Sequence, residues 1–245
     1  MAGSPTPRPF SVHVADDVLA DLRARLERAR FPDEVPGSGW QYGSDLAYVK
    51  AVRRQHPDIL FQVDANSAYE LEDVAVFRAM DDERLLLIEQ PLSHDDIYDH
   101  SKLQRELRTA ICLDESIHSV ADARAALELG SCRVINIKPG RVGGYTESRK
   151  IHDLCASRGV PVWHGGMLES GIGRAGNVAL ASLPNFTLPG DISASKRYYR
   201  EDIVEPAFEV AADGTMAVPA GPGIGVDVVP ERLDRVTVRC EEFRA

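Results

Sequence analysis

Cysteine is scarce in this chain and forms no pattern. Cys112, Cys132, Cys155 and Cys240 are scattered over 245 residues, with no CxxC pair and no histidine at zinc-ligand spacing. That excludes a zinc knuckle or a disulfide framework and reads as small apolar groups in a reducing compartment. Long apolar runs are missing too. None approaches the roughly 20 residues of a membrane helix, and the N-terminal MAGSPTPRPF has no apolar stretch of signal-peptide length. Basic residues are in deficit, 28 Lys and Arg against 38 Asp and Glu, for a net charge of −10. Such an acidic surface repels phosphate and excludes nucleic acid and anionic membranes as partners. A cytoplasmic, soluble protein is the expectation.

What is present falls into three parts. Residues 1–49 hold a Pro-rich leader and one amphipathic helix from about Asp16 to Arg30, with Val18, Leu19, Leu22 and Leu26 on one face. Phe31-Pro32 ends it, and a loop rich in Pro, Gly and acid follows. From Asp45 to Asp191 the chain keeps a beat. Apolar runs at 59–63, 85–88, 110–113, 134–137, 160–163 and 186–188 alternate with helical stretches such as LEDVAVFRAM, ADARAALELG and YTESRKIHDLCASRG. This rhythm predicts an α/β fold with a parallel sheet, its strands covered on both faces because they are apolar throughout. Residues 192–245 lose the beat in a Gly- and Pro-rich, partly β-like tail.

Chemistry gathers at the strand ends. Asp64 closes QVD, Glu89 closes LIE, Asp114 closes CLD and Lys138 closes NIK, at intervals of 25, 25 and 24 residues. In a parallel barrel such ends lie side by side at the C-terminal face, where barrel enzymes place their reacting groups. A single acid there is usually a helix cap, and Asp114, just before a helix, is the easiest to explain so. Three carboxylates converging repel each other unless a cation joins them, and all-oxygen ligation selects Mg²⁺ or Mn²⁺. Lys138 beside them reads as a proton-transfer base.

Other features have plainer readings. Gly171-Ile-Gly173-Arg-Ala-Gly176 fits a dinucleotide fingerprint, but residues 164–170 separate it from the strand, where a tight turn is required. A helix N-terminus meeting a substrate oxygen, or plain close packing, remain as its readings. His164, after a strand end, is a candidate pocket residue, and Asn66 and Asn136 sit near the acidic strands. His94, His100, His118 and His152 read as solvated or partly buried. Glu115 is read as a helix-start acid.

The segments DANSAY, IEQPL, CLDESI, NIKPGRVGG and GGMLESGIGRA, in this order and spacing, resemble the enolase superfamily over about residues 50–245. The likeness is nearest to its o-succinylbenzoate synthase and N-acylamino acid racemase branch, the former a step of menaquinone biosynthesis. The resemblance implies a (β/α) TIM-type barrel in which Asp64, Glu89 and Asp114 bind Mg²⁺ and Lys138 is one of two lysines flanking a small carboxylate substrate. It further implies α-proton abstraction through an enediolate, ending in dehydration (a lyase) or racemisation (an isomerase). The loop Gly165–Glu169, with Gly166 and Met167, resembles the segment that meets the substrate's acyl group, with Asn66, Asn136 and His164 as further candidate contacts. A dipeptide epimerase or muconate cycloisomerase is the more distant reading.

The match is incomplete. Six strands are counted where a closed barrel has eight, and the family's Lys-x-Lys strand and capping domain have no counterpart in the sequence. Lys50 lies on a helix before Ile59. Residues 9–49 instead resemble the N-terminal segment of epoxide hydrolases, without a nucleophile elbow to follow. The expectation is a partial barrel of about six βα units (50–191) with a foreign helical arm (1–49) and an irregular tail (192–245). Two functional expectations stand: metal-dependent proton abstraction, or an inactive chimeric remnant. An open barrel exposes edges and apolar surface, so a homo-oligomer is expected.

Overall fold

Five of the six apolar runs form strands, and they pair in the order in which they occur. The structure is a computed structural model that describes residues 46–242. The sequence-predicted helix at 16–30 and the arm therefore lie outside the described residues. Helix α1 (Leu46–Gln55) carries Lys50 and leads into β1 (Val63–Asp64). A 3-10 turn and α2 (Val74–Met80) precede β2 (Ile88–Glu89); α3 (Tyr98–Glu106) precedes β3 (Ile111–Leu113). Then come α4 (Val120–Leu129), β4 (Val134–Ile137), the single-turn α5 (Pro139–Val142), α6 (Tyr145–Ser157), β5 (Val162–His164) and α7 (Gly171–Ala181). The sheet is wholly parallel in the order β1-β2-β3-β4-β5.

The sixth run, Phe186–Leu188, makes one parallel bridge, Phe186 to Val162, and no named strand. Pro184 and Pro189 flank it, and proline supplies no N–H to extend the ladder.

Local chemistry sets the boundaries. Ser119 caps α4, its hydroxyl accepting from Asp122 N, and Gly130 at φ 71° closes that helix in the left-handed region. Pro139 opens α5 at a position whose N–H would go unpaired in any case.

Side chains alternate across each strand, and this splits the interior into two layers. Ile88, Ile111, Leu113, Ile135, Ile137 and Val162 face the helices, packing with Phe77, Met80, Leu103, Ala126 and Ile151. Each such fully buried side chain contributes about 1.5–3 kcal/mol. Leu87, Cys112, Val134 and Trp163 form the opposite, inner layer, with Trp163 Nε1 3.2 Å from Cys112 Sγ. Two residues further along each strand, on that same inner face, stand Glu89, Asp114, Asn136 and Gly165.

The tail packs on α7: Ala175 and Val178 bury against Val204, Phe208 and Val226. It contains a two-stranded ribbon, β6 (Val204–Glu205) with β7 (Asp227–Val228), and α8 (Pro230–Val236). No helix of the described residues is long and apolar enough to cross a membrane.

Candidate active site

The register brings the sequence-read acids to one end of the sheet. Asp64 pairs with Glu89 across β1 and β2, and Asp114 follows β3 as Lys138 follows β4. Glu89 and Asp114 are almost wholly buried, whereas Asp64 reaches solvent. Glu89 accepts from Asn136 Nδ2 at 2.8 Å, and Asn136 Oδ1 accepts from Gly165 N at 2.7 Å. Asp114 is the most heavily compensated. Lys138 Nζ lies 2.6 Å from its Oδ2, and Arg141 binds its other oxygen. Arg141 is held in turn by the carbonyls of Asn136 (2.6 Å) and Ile117 (2.8 Å).

The electrostatics are those of crowded acids. Burial pushes Glu89 up to about 7, and the Asp64 charge adds to it against the Asn136 hydrogen bond. Asp64 is also raised, first by desolvation, with Glu115 and Asp191 contributing while the Asn66 N–H opposes. Glu115 therefore belongs to the field of this site rather than being only a helix-start acid, and its Oε2 is buried without a hydrogen bond. Asp191 lies on the rim, where Gly166 N donates to its carboxylate and burial raises it. Burial lowers the Arg141 guanidinium to about 10.

Among the described residues no three His, Cys, Asp or Glu side chains close into one metal-ligating group. The reason is visible in the pairings: Asp114 turns to two cations and Glu89 to an amide, which separates like charges. The donor set nevertheless fits a hard dication. Every candidate is an oxygen, the acids outnumber the cations, and Glu115 Oε2 is an orphaned acceptor.

The remaining sequence candidates divide. Asn66 contributes through its backbone, its N–H lying 2.9 Å from Asp64 Oδ1, while its side chain is exposed. Asn136 is committed to Glu89 and Gly165, leaving no free donor pair for a substrate. His164 is buried, lies on the helix-facing side of β5 and packs near Phe186 at 6.2 Å between ring centroids. Its ring nitrogens have no hydrogen-bond partner, and burial lowers it to about 4. Gly165 has no room for a side chain, since a Cβ would strike Lys138 Cε and the Asn136 amide. Met167 and Leu168 are exposed on a loop tied by Glu169, which accepts from Met167 N (3.0 Å) and Asn177 Nδ2 (2.8 Å). The Gly171–Gly176 segment is close packing. A Cβ at Gly171 would collide with Val204, and Asp202 takes the Gly171 N–H at 2.9 Å, so no substrate oxygen is received there. His100 goes beyond its reading as solvated or partly buried: it is fully buried, Nδ1 against Asp96 and Nε2 accepting from Leu92 N at 3.1 Å.

Residues 18–232 match the family described as Enolase C-terminal domain-like. The chain belongs to the enolase superfamily. The superfamily match runs through most of residues 9–49, whose likeness to epoxide hydrolases it does not show. Over 203 residues the chain is 55% identical to the o-succinylbenzoate synthase of Bacillus subtilis, covering 83% of this chain and 54% of that one. Over 196 residues it is 56% identical to the N-succinylamino acid racemase of Amycolatopsis sp, covering 80% and 53%. A solved superfamily member from Enterococcus faecalis V583 superposes with a TM-score of 0.75 at 43% identity, covering 91% and 60%. The chain spans about half the length of the curated relatives it matches. Enzymes of this superfamily generally use Mg²⁺.

Proposed function

We propose that this chain serves abstraction of a proton α to a carboxylate, in o-succinylbenzoate synthesis, N-acylamino acid racemisation, or both. One observation carries the reading: Asp64, Glu89, Asp114 and Lys138 stand at the same end of four successive parallel strands. The names of the two similar relatives support the choice of chemistry.

Asp64, Glu89 and Asp114 would hold Mg²⁺ or Mn²⁺, which when bound grips the substrate carboxylate and offsets the charge that develops on it. Lys138 moves the proton. Its Nζ lies 2.6 Å from Asp114 Oδ2, at the strand end where it would face the α-carbon of a substrate carboxylate. Arg141 stays as a fixed cation beside Asp114. Gly165 lets the backbone pass directly against the Lys138 stem, and the exposed Met167–Leu168 loop offers apolar contact to an acyl group. Asn136 and His164 are then supports of the site rather than substrate contacts.

The test is α-proton exchange of N-succinylmethionine in D₂O with Mn²⁺, followed by NMR against an EDTA control. Metal-dependent loss of the α-proton signal, abolished in Lys138→Arg, is expected. Arginine keeps the cation beside Asp114 but cannot act as a base. A folded, metal-binding protein that exchanges nothing sinks the proposal.

A further inference from the structure

Gln90 follows Glu89 directly and is fully buried, and its backbone has a φ of 35°. L side chains rarely adopt this left-handed region, and holding one there costs stability. Glycine is the relaxed choice at such a position. A buried amide kept there against strain implies that its hydrogen bonds matter.

Those bonds converge on the ends of three strands. The Gln90 side-chain oxygen accepts from Asp114 N at 2.9 Å and Ser116 N at 3.3 Å. Its Nε2 donates to Ser116 Oγ (2.6 Å) and to the Ser93 (3.1 Å) and Leu92 (3.3 Å) carbonyls. The Gln90 carbonyl accepts from Ser67 N at 2.9 Å, in the loop after Asp64, and its own N–H donates to Cys112 O at 2.9 Å. One residue therefore fixes the chain after Asp64, the chain carrying Glu89 and the backbone of Asp114.

We infer that Gln90 is a positioning residue: its side-chain amide sets the placement of the Asp114 strand end against the strand that carries Glu89, while its backbone carbonyl ties in the loop after Asp64, and together these set the fitness of the three carboxylates to share one divalent cation. The inference rests on the metal reading above. Gln90 touches none of the reacting atoms, and it acts through Asp64, Glu89 and Asp114.

The experiment measures Mn²⁺ alone, by electron paramagnetic resonance titration of the free ion, together with thermal unfolding. Gln90→Met keeps length and burial but removes the amide. Its Mn²⁺ dissociation constant should rise about 10–100-fold, as loss of an outer partner of a ligand typically does. Ser131→Ala is the control. Ser131 is fully buried and donates to Ile97 O at 2.7 Å at the opposite end of β4, so this variant loses a buried hydrogen bond without touching the acids. Its Mn²⁺ affinity should match wild type. Gln90→Gly separates the side chain from the strain: it relaxes the backbone, yet should lose Mn²⁺ affinity as Gln90→Met does.

Unchanged Mn²⁺ affinity in Gln90→Met, or an equal loss in Ser131→Ala, overturns the inference while leaving the metal reading intact. Absence of Mn²⁺ binding by the wild-type chain overturns both. Should both Gln90 variants fail to fold, Mg²⁺ titration of the ¹⁵N-labelled wild type decides. The Gln90 side-chain amide and the Asp114 N–H should shift together at one half-saturation, and unmoved signals overturn the inference.

Discussion

Two buried groups in this fold titrate in opposite senses, and their cancellation can be measured. His164 is lowered to about 4 from an ordinary 6.5 by burial. The unfolded chain therefore binds the proton first, and stability present above pH 6.5 is lost as the pH falls. Between pH 7 and pH 5 that loss amounts to about 2 kcal/mol. Glu89 runs the other way. Its carboxyl rises from an ordinary 4.5 to about 7, so the folded state binds the proton first and gains stability as the pH falls. Over the same interval the gain is also about 2 kcal/mol. Wild-type stability should thus owe little net pH dependence to this pair. His164→Phe removes the acid penalty, and the variant should be more stable at pH 5 than at pH 7 by about 2 kcal/mol relative to wild type. Glu89→Gln should show the reverse. The assay is urea denaturation at both pH values in EDTA. If each variant keeps the wild-type pH difference to within about 0.5 kcal/mol, the linkage argument is wrong.

Three further outcomes are expected. Asn136→Leu removes the hydrogen bond to Glu89 and strands the buried Gly165 N–H, which should cost about 3 kcal/mol and lower Tm by about 10 °C in calorimetry. Gly171→Ala forces a methyl into Val204 and should cost about 1–3 kcal/mol, whereas Gly140→Ala, with nothing within 4 Å of the new methyl, should leave denaturation unchanged. Mn²⁺ at about 100 times its dissociation constant should add about 2.7 kcal/mol of stability, reversed by EDTA, and the gain should shrink below pH 7 as Glu89 takes up a proton.

Much of the site was legible because a parallel sheet converts even spacing into adjacency. Intervals of 25, 25 and 24 residues placed Asp64, Glu89, Asp114 and Lys138 together before any coordinates. The pattern could not reveal what compensates each charge. Arg141 follows Lys138 by three residues, and only the Pro139-started turn α5 aims it back at Asp114. Gln90 is one position off the strand-end pattern, and its importance lies in a backbone angle that no periodicity encodes. The orientation of His164 was hidden because a position after an apolar run reads as lying beyond the strand. It is the last residue of β5 itself, and parity turns it toward the helices. The tail's partner was likewise hidden, since the glycines that admit Val204 and Tyr145 onto α7 look like a phosphate loop in one dimension.

The strand order has a kinetic consequence. Among the described residues, each strand of the large sheet after β1 hydrogen-bonds to its immediate predecessor in the chain. The crossovers that must close are therefore nearly equal, with Asp64, Glu89, Asp114 and Lys138 set 25, 25 and 24 residues apart. Parallel pairing is slow because each crossover must close before its strand is rewarded, but an order that follows the chain suits one that emerges from the ribosome N-terminus first. From β2 on, each strand finds its template already laid down, and the acids and the lysine at the ends of β1 to β4 arrive one beside the next.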